Sequence, residues 1–277
     1  MVFIEKSHMK RQIINPHLFE IPKVKIVIGR TDFILEKCKR KKVLHLGCVD
    51  EGLTVERINT GSLMHIQIMK ISREVLGIDK SKEGIRLLQN EGINNIILGD
   101  VEHLDSIKEL QGEIFDIILA TEIIEHLNNP GLFLQSAKTL FSQNTDMILT
   151  TPNAFRFTEF GYNFKGYEFV HPDHNYWFSW KTLSSLLIKN GYVINEILTY
   201  SFTDHKTPIL QKAIGKILCK KNILKEKIVD KDLSKKVQVN MLGNRVKNIV
   251  DILIKRYLYK RNPFFADGLI FIVKPKG

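Results

Sequence analysis

Val43-Leu44-His45-Leu46-Gly47-Cys48 and, one element later, Gly77-Ile78-Asp79 are the stretches whose reading decides the fold of this chain. The first is an apolar run that stops at a glycine, the mark of a buried strand entering a tight turn. The second is a strand that ends on an acid. Glycine lets a backbone pass close beneath a ligand, and an acidic residue at the end of the next strand can accept both hydroxyls of a ribose. Gly99-Asp100-Val101 ends a third strand with another carboxylate, placed to take the exocyclic amine of an adenine. Three successive strand ends thus line one nucleoside-shaped cleft at the carboxyl edge of a sheet.

Working outward, Val- and Ile-rich runs alternate with amphipathic stretches, the pattern of a parallel sheet covered by helices on both faces. The periodicity predicts strands at Lys42 to Gly47, Glu74 to Asp79, Asn95 to Gly99, Phe115 to Ala120 and Met147 to Thr151. A sixth follows at Tyr192 to Phe202 and a seventh at Gly268 to Lys274. Helices are expected at Lys82 to Asn90 before Gly92, at Leu132 to Phe141 after Pro130-Gly131, and at Lys181 to Lys189 before Asn190-Gly191. The expected architecture is α/β, a seven-stranded mostly parallel sheet with helices on both faces. Its parts are an N-terminal helical segment over 1–40, a catalytic body over 41–204 and 263–277, and a basic helical insertion over 205–262.

That division rests partly on charge. The chain of 277 residues carries a net charge of +11, and between His205 and Asn262 there are 16 Lys or Arg against 4 Asp or Glu. The segment is therefore +12 and the remainder −1, so a body of ordinary charge bears a basic attachment. Ile249, Ile252, Leu253 and Tyr257 recur at helical spacing within it. Cys38, Cys48 and Cys219 are few and widely spaced, which suits reduced thiols and not a disulfide or zinc framework. No apolar run reaches the roughly 18–20 residues that span a bilayer, and no signal-peptide succession opens the chain, so a cytoplasmic location is expected.

With these strand ends in place, the sequence resembles the class I S-adenosylmethionine-dependent methyltransferases over Lys41 to Phe202 and the closing strand. The resemblance implies a Rossmann-like sheet and S-adenosylmethionine as cofactor. It puts Gly47 beside the methionine portion, Asp79 at the ribose, Asp100 and Val101 at the adenine, and Cys48, Lys80 and Thr121 among the cofactor-binding residues. The chain departs from the family's usual pattern at His45, where an acid is common, and at Val49 and Glu51, where glycines are common. A sulfonium donor has no pyrophosphate and does not need the dinucleotide glycine pattern, which also argues against a nicotinamide enzyme.

Chemistry enters at Thr121-Glu122-Ile123-Ile124-Glu125-His126-Leu127. On a helix, Glu122, Glu125 and His126 would share one face, a chelating one for Mg2+ or Mn2+. Such an ion would lower the pKa of a substrate hydroxyl and orient its oxygen toward the donor methyl. A later loop, His171-Pro172-Asp173-His174-Asn175, offers a fourth ligand or a general base, and the catalytic candidates are Glu122, His126, His171 and His174. Glu-x-x-Glu-His resembles the metal motif of the quinone-precursor O-methyltransferases and of the small-RNA 3′-terminal ribose 2′-O-methyltransferases. The latter pair it with a His-x-x-His loop before an aromatic segment, as Phe178-Ser179-Trp180 stands here. Two other readings stay open: an active site without metal, and acids that merely complement a helix dipole.

The leading expectation is O-methylation of a small-molecule, sugar or lipid-linked hydroxyl. Its rivals are 2′-O-methylation of RNA ends and a binding protein that keeps the fold without turnover. For residues 205–262 three readings compete, a substrate lid, an anionic membrane surface and RNA. No pattern bears on the oligomeric state.

Overall fold

The computed structural model describes residues 17–202 and 252–276. Eight strands form one sheet: β1 (Lys25–Ile28), β2 (Lys42–Leu46), β3 (Glu74–Asp79), β4 (Ile96–Leu98), β5 (Ile117–Thr121), β6 (Asp146–Pro152), β7 (Tyr192–Ser201) and β8 (Gly268–Pro275). Their order is β1-β7-β8-β6-β5-β2-β3-β4. All pairings are parallel except those of β8, which runs antiparallel to both β6 and β7. The seven expected strands are present within a residue or two of their expected ends.

The long apolar runs follow from burial on both faces. Along β5, Ile118 and Ala120 join one core cluster while Ile117 and Leu119 join the other. Along β8, Leu269, Phe271 and Val273 alternate in the same way with Ile270 and Ile272. The helices are α1 (Arg30–Cys38), α2 (Thr54–Asn59), α3 (Met64–Met69), α4 (Lys82–Asn90), α5 (Pro130–Ala137), α6 (Phe157–Asn163) and α7 (Trp180–Lys189), with a further helix over 252–261. Leu134, Leu183 and Leu187 of α5 and α7 pack on one face, and Ile34, Cys38 and Ile68 of α1 and α3 on the other.

Three expectations change. The stretch expected to be helical over 1–40 contributes a strand as well as a helix: β1 pairs with β7 at the sheet edge, Gly29 turns with φ 75°, and α1 packs beneath. The sheet therefore has eight strands, the extra one being only four residues long and without a strong alternation to announce it. Helix α5 starts two residues early, because Pro130 fits a first turn whose N–H groups need no partner and the Asn129 side chain accepts from Leu132 N–H. Of the basic insertion over 205–262, residues 205–251 lie outside the described residues. Among the described residues no helix is long and apolar enough to cross a membrane.

Candidate functional site

Gly47, Asp79 and Asp100 come to the same carboxyl edge, because β2, β3 and β4 are adjacent and parallel. Gly47 has φ 66°, and a Cβ there would lie 2.3 Å from Ile123 Cγ2. No other residue fits that turn without displacing Ile123. Asp79 is buried and its carboxylate braces the loop: Oδ2 accepts from Val49 N–H at 2.8 Å and Oδ1 from Ser81 N–H at 2.9 Å. Burial pushes its pKa above the usual carboxylate range, while the Ser81 and Val49 amides pull it back. Each oxygen keeps a lone pair for a ribose hydroxyl. Asp100 is exposed, with Oδ1 accepting from Glu102 N–H at 2.9 Å. Cys48 is buried, Lys80 is exposed, and Val101 and Thr121 are half-buried at their strand ends.

The departures from the usual loop have structural counterparts. Val49 is accommodated by Gly84 on α4, where a Cβ would stand 2.1 Å from Val49 Cγ1. His45 stacks on His65 of α3 with ring centroids 5.5 Å apart and Nδ1 atoms 3.3 Å apart. Burial, and then the His65 ring, pushes the His45 pKa well down, and burial lowers that of His65 to about 4. A neutral imidazole pair therefore stands where an acid is common.

The expected helix from Glu122 to His126 is absent, so its single chelating face does not form. Glu122 ends β5 in the left-handed region with φ 52°, and only Ile124–His126 make one tight 3-10 turn. A left-handed residue with a side chain costs about 1–2 kcal/mol, and bonds from three directions hold it. Glu122 Oε1 accepts from Thr150 Oγ1 at 2.9 Å and from Tyr200 OH at 3.1 Å, and pairs with Arg30 Nη1 at 2.8 Å. The sequence reading missed Arg30 and Tyr200. Neither stands in a motif, and only the parallel pairing of β1 with β7 brings them to Glu122.

Glu125 turns inward and is 1% exposed, with the Thr151 side chain beside its carboxyl group. Burial, reinforced by the Glu122 charge, drives its pKa well above the usual range and favours the protonated acid. Its backbone carbonyl accepts from Asn175 N–H at 2.8 Å and Tyr176 N–H at 3.1 Å, while Asn175 Nδ2 donates to the His126 carbonyl at 3.0 Å. These bonds fasten the 171–175 loop to the turn. His126, His171 and His174 consequently bring one nitrogen each within 4.8 Å of one another. Burial, and then His171, lowers the His126 pKa; burial, and then His126, lowers that of His174 to about 4. Asn153, at the end of β6, is committed elsewhere, donating through Nδ2 to the carbonyls of Phe264 and Ala266.

A methyltransferase-domain family model matches residues 27–197, more than half of the chain. The ubiquinone biosynthesis O-methyltransferase of Azorhizobium caulinodans is 27% identical over 121 residues, 43% of each chain. That of Bradyrhizobium diazoefficiens is 28% identical over 129 residues, 45% of this chain and 50% of the relative. The match spans half or less of these relatives. Among solved structures, a SAM-dependent methyltransferase from Archaeoglobus fulgidus is 15% identical, with TM-score 0.45 over 89% of this chain and 95% of its own. A small RNA methyltransferase is 18% identical, with TM-score 0.42 over 61% of this chain and 22% of its own.

Proposed function

The chain belongs to the methyltransferase-domain family, and from that premise we propose that it moves the methyl group of S-adenosylmethionine to a hydroxyl of a small-molecule or lipid-linked acceptor. The observation that carries the choice of a hydroxyl is the meeting of His126, His171 and His174 beside the Glu122 corner, with burial lowering the pKa of His126 and His174. Hydroxyl methylation must dispose of a proton, and a histidine uncharged at neutral pH is the side chain suited to accept it.

The cofactor supplies an electrophilic methyl on a sulfonium. The residues present fit it: the left-handed turn at Gly47 and Cys48, with Thr121, would take the amino-acid portion; Asp79, whose carboxyl oxygens each keep a lone pair, with Lys80 the ribose; Asp100 with Val101 the adenine. His126 takes the acceptor proton at a ring nitrogen, being the histidine carried directly on the turn after β5. His174, with a pKa of about 4, is the weaker base and contacts the acceptor with His171. Glu122 sets the backbone corner from which the turn starts.

A divalent cation is a second reading, favoured by the buried His174 Nδ1, which has no partner. Glu122 is engaged by Arg30 and Glu125 favours its protonated form, so the three imidazoles are the better donors. Nitrogen ligation suits a zinc-class ion over Mg2+ or Mn2+.

His126→Ala tests the proposal: kcat is expected to fall by about 10²–10⁴-fold while affinity for S-adenosylhomocysteine stays within a factor of about two. The wild-type acid limb of kcat should lie below pH 6.5, since His126 titrates low. Unchanged kcat in the variant refutes the base. Zinc titration of wild type and His174→Ala decides the metal: no heat in either removes it.

A further inference from the structure

We propose that the helix over 252–261 and the aromatic rim beside it form a docking surface for an anionic lipid bilayer, set on the same sheet edge as the reaction corner. On that helix Leu253, Ile254 and Tyr257 are exposed, Tyr257 by 61%. Arg256, Lys260 and Arg261 are exposed with them, and residues 252–262 contain no acid. A helix face that mixes aliphatic, aromatic and cationic side chains lies in a headgroup region with its apolar groups buried and its charges against lipid phosphates.

A ring contact and hydrogen bonds bring Phe160 and Phe202 to the turn that follows the helix. The helix runs into the turn over Pro263–Phe265, on which the ring of Phe160 packs at 6.1 Å. Phe202, 69% exposed, donates its N–H to Asp267 Oδ2 at 2.8 Å just beyond that turn. Asn153 ties the same turn to the end of β6, beside the corner that carries Glu122 and His126. A bilayer seated here would lie along the sheet edge that carries this corner.

Charge alone would suit RNA equally well. Leu253 and Ile254 decide for lipid, because an aliphatic side chain held in water gains from acyl chains and gains little from a phosphate backbone or a stacked base. The inference does not depend on which acceptor is methylated, and its test reads binding alone.

Full-length protein is sedimented with phosphatidylcholine vesicles, with and without phosphatidylglycerol, across a salt series. Binding is expected to require phosphatidylglycerol and to weaken with salt. Three cationic side chains each strengthen attachment about five-fold, so Arg256→Gln/Lys260→Gln/Arg261→Gln should weaken it about 100-fold. Leu253→Ser/Ile254→Ser should weaken it about 10-fold and leave the S-adenosylhomocysteine affinity unchanged, which confirms the fold. Equal binding to both vesicle types, no binding to either, or unaltered binding by both variants overturns the proposal. So does tighter binding of the wild type to single-stranded RNA than to the anionic vesicles.

Discussion

The proposed cofactor half and the proposed reaction half of the sheet's carboxyl edge are built by different means. At the ends of β2, β3 and β4 each side chain acts where its own strand stops, and Asp79 needs only the amides of Val49 and Ser81 to be placed. At the ends of β5 and β6 the chain turns through a left-handed Glu122, and its partners arrive from α1, β6 and β7, with the histidines supplied by a loop stapled through Asn175. The first half is a local construction. The second exists only once distant segments have packed.

If that contrast is right, single substitutions in the two halves should fail differently. Asp79→Ala removes the acceptor of two loop amides together with the proposed ribose contact, and is expected to weaken S-adenosylhomocysteine binding about 100-fold by calorimetry. Affinity within a few-fold of wild type would mean that the loop stands without it.

An effect of similar size is expected from acid. The His45–His65 pair is neutral when folded, whereas free imidazoles in the unfolded chain protonate near pH 6.5. The unfolded state then binds more protons, so the stability present above about pH 6.5 is lost as the pH falls toward about 4. His65 alone, with its folded pKa of about 4, accounts for about 3 kcal/mol over that window. Urea unfolding of the wild type and of His65→Gln measures it, and equal acid slopes would remove this account.

The smallest change concerns the corner itself. Arg30→Met leaves Glu122 without its cation, and because the pair is partly exposed a loss of about 1–2 kcal/mol is expected. Thermal unfolding reads it. A loss no greater than that of an exposed control such as Arg86→Met, whose pair with Glu83 lies on the surface, would show that the corner holds itself.

How much was legible follows the same divide. The strands of the sheet from β2 onward stood out because burial on both faces demands continuous apolar runs, and α4 because Gly92 closes it. The Glu122–Glu125–His126 spacing invited a helix. Nothing local signals that Glu122 adopts a positive φ, since its compensation comes from Arg30, Thr150 and Tyr200. The histidines at 126, 171 and 174 were named individually, but their meeting depends on the Asn175 bonds to the 125–126 backbone.

The order of strands and turns, the glycine at 47 and the acids that close β3 and β4 were determined by the amino-acid sequence alone, because hydrophobic period and strand-end chemistry act over a few neighbouring residues. Tertiary structure decided which carboxyl is paired, which is buried with its pKa raised, and which three imidazoles face one another. Those properties depend on desolvation and on partners far along the chain, and they come into being only when the sheet is assembled.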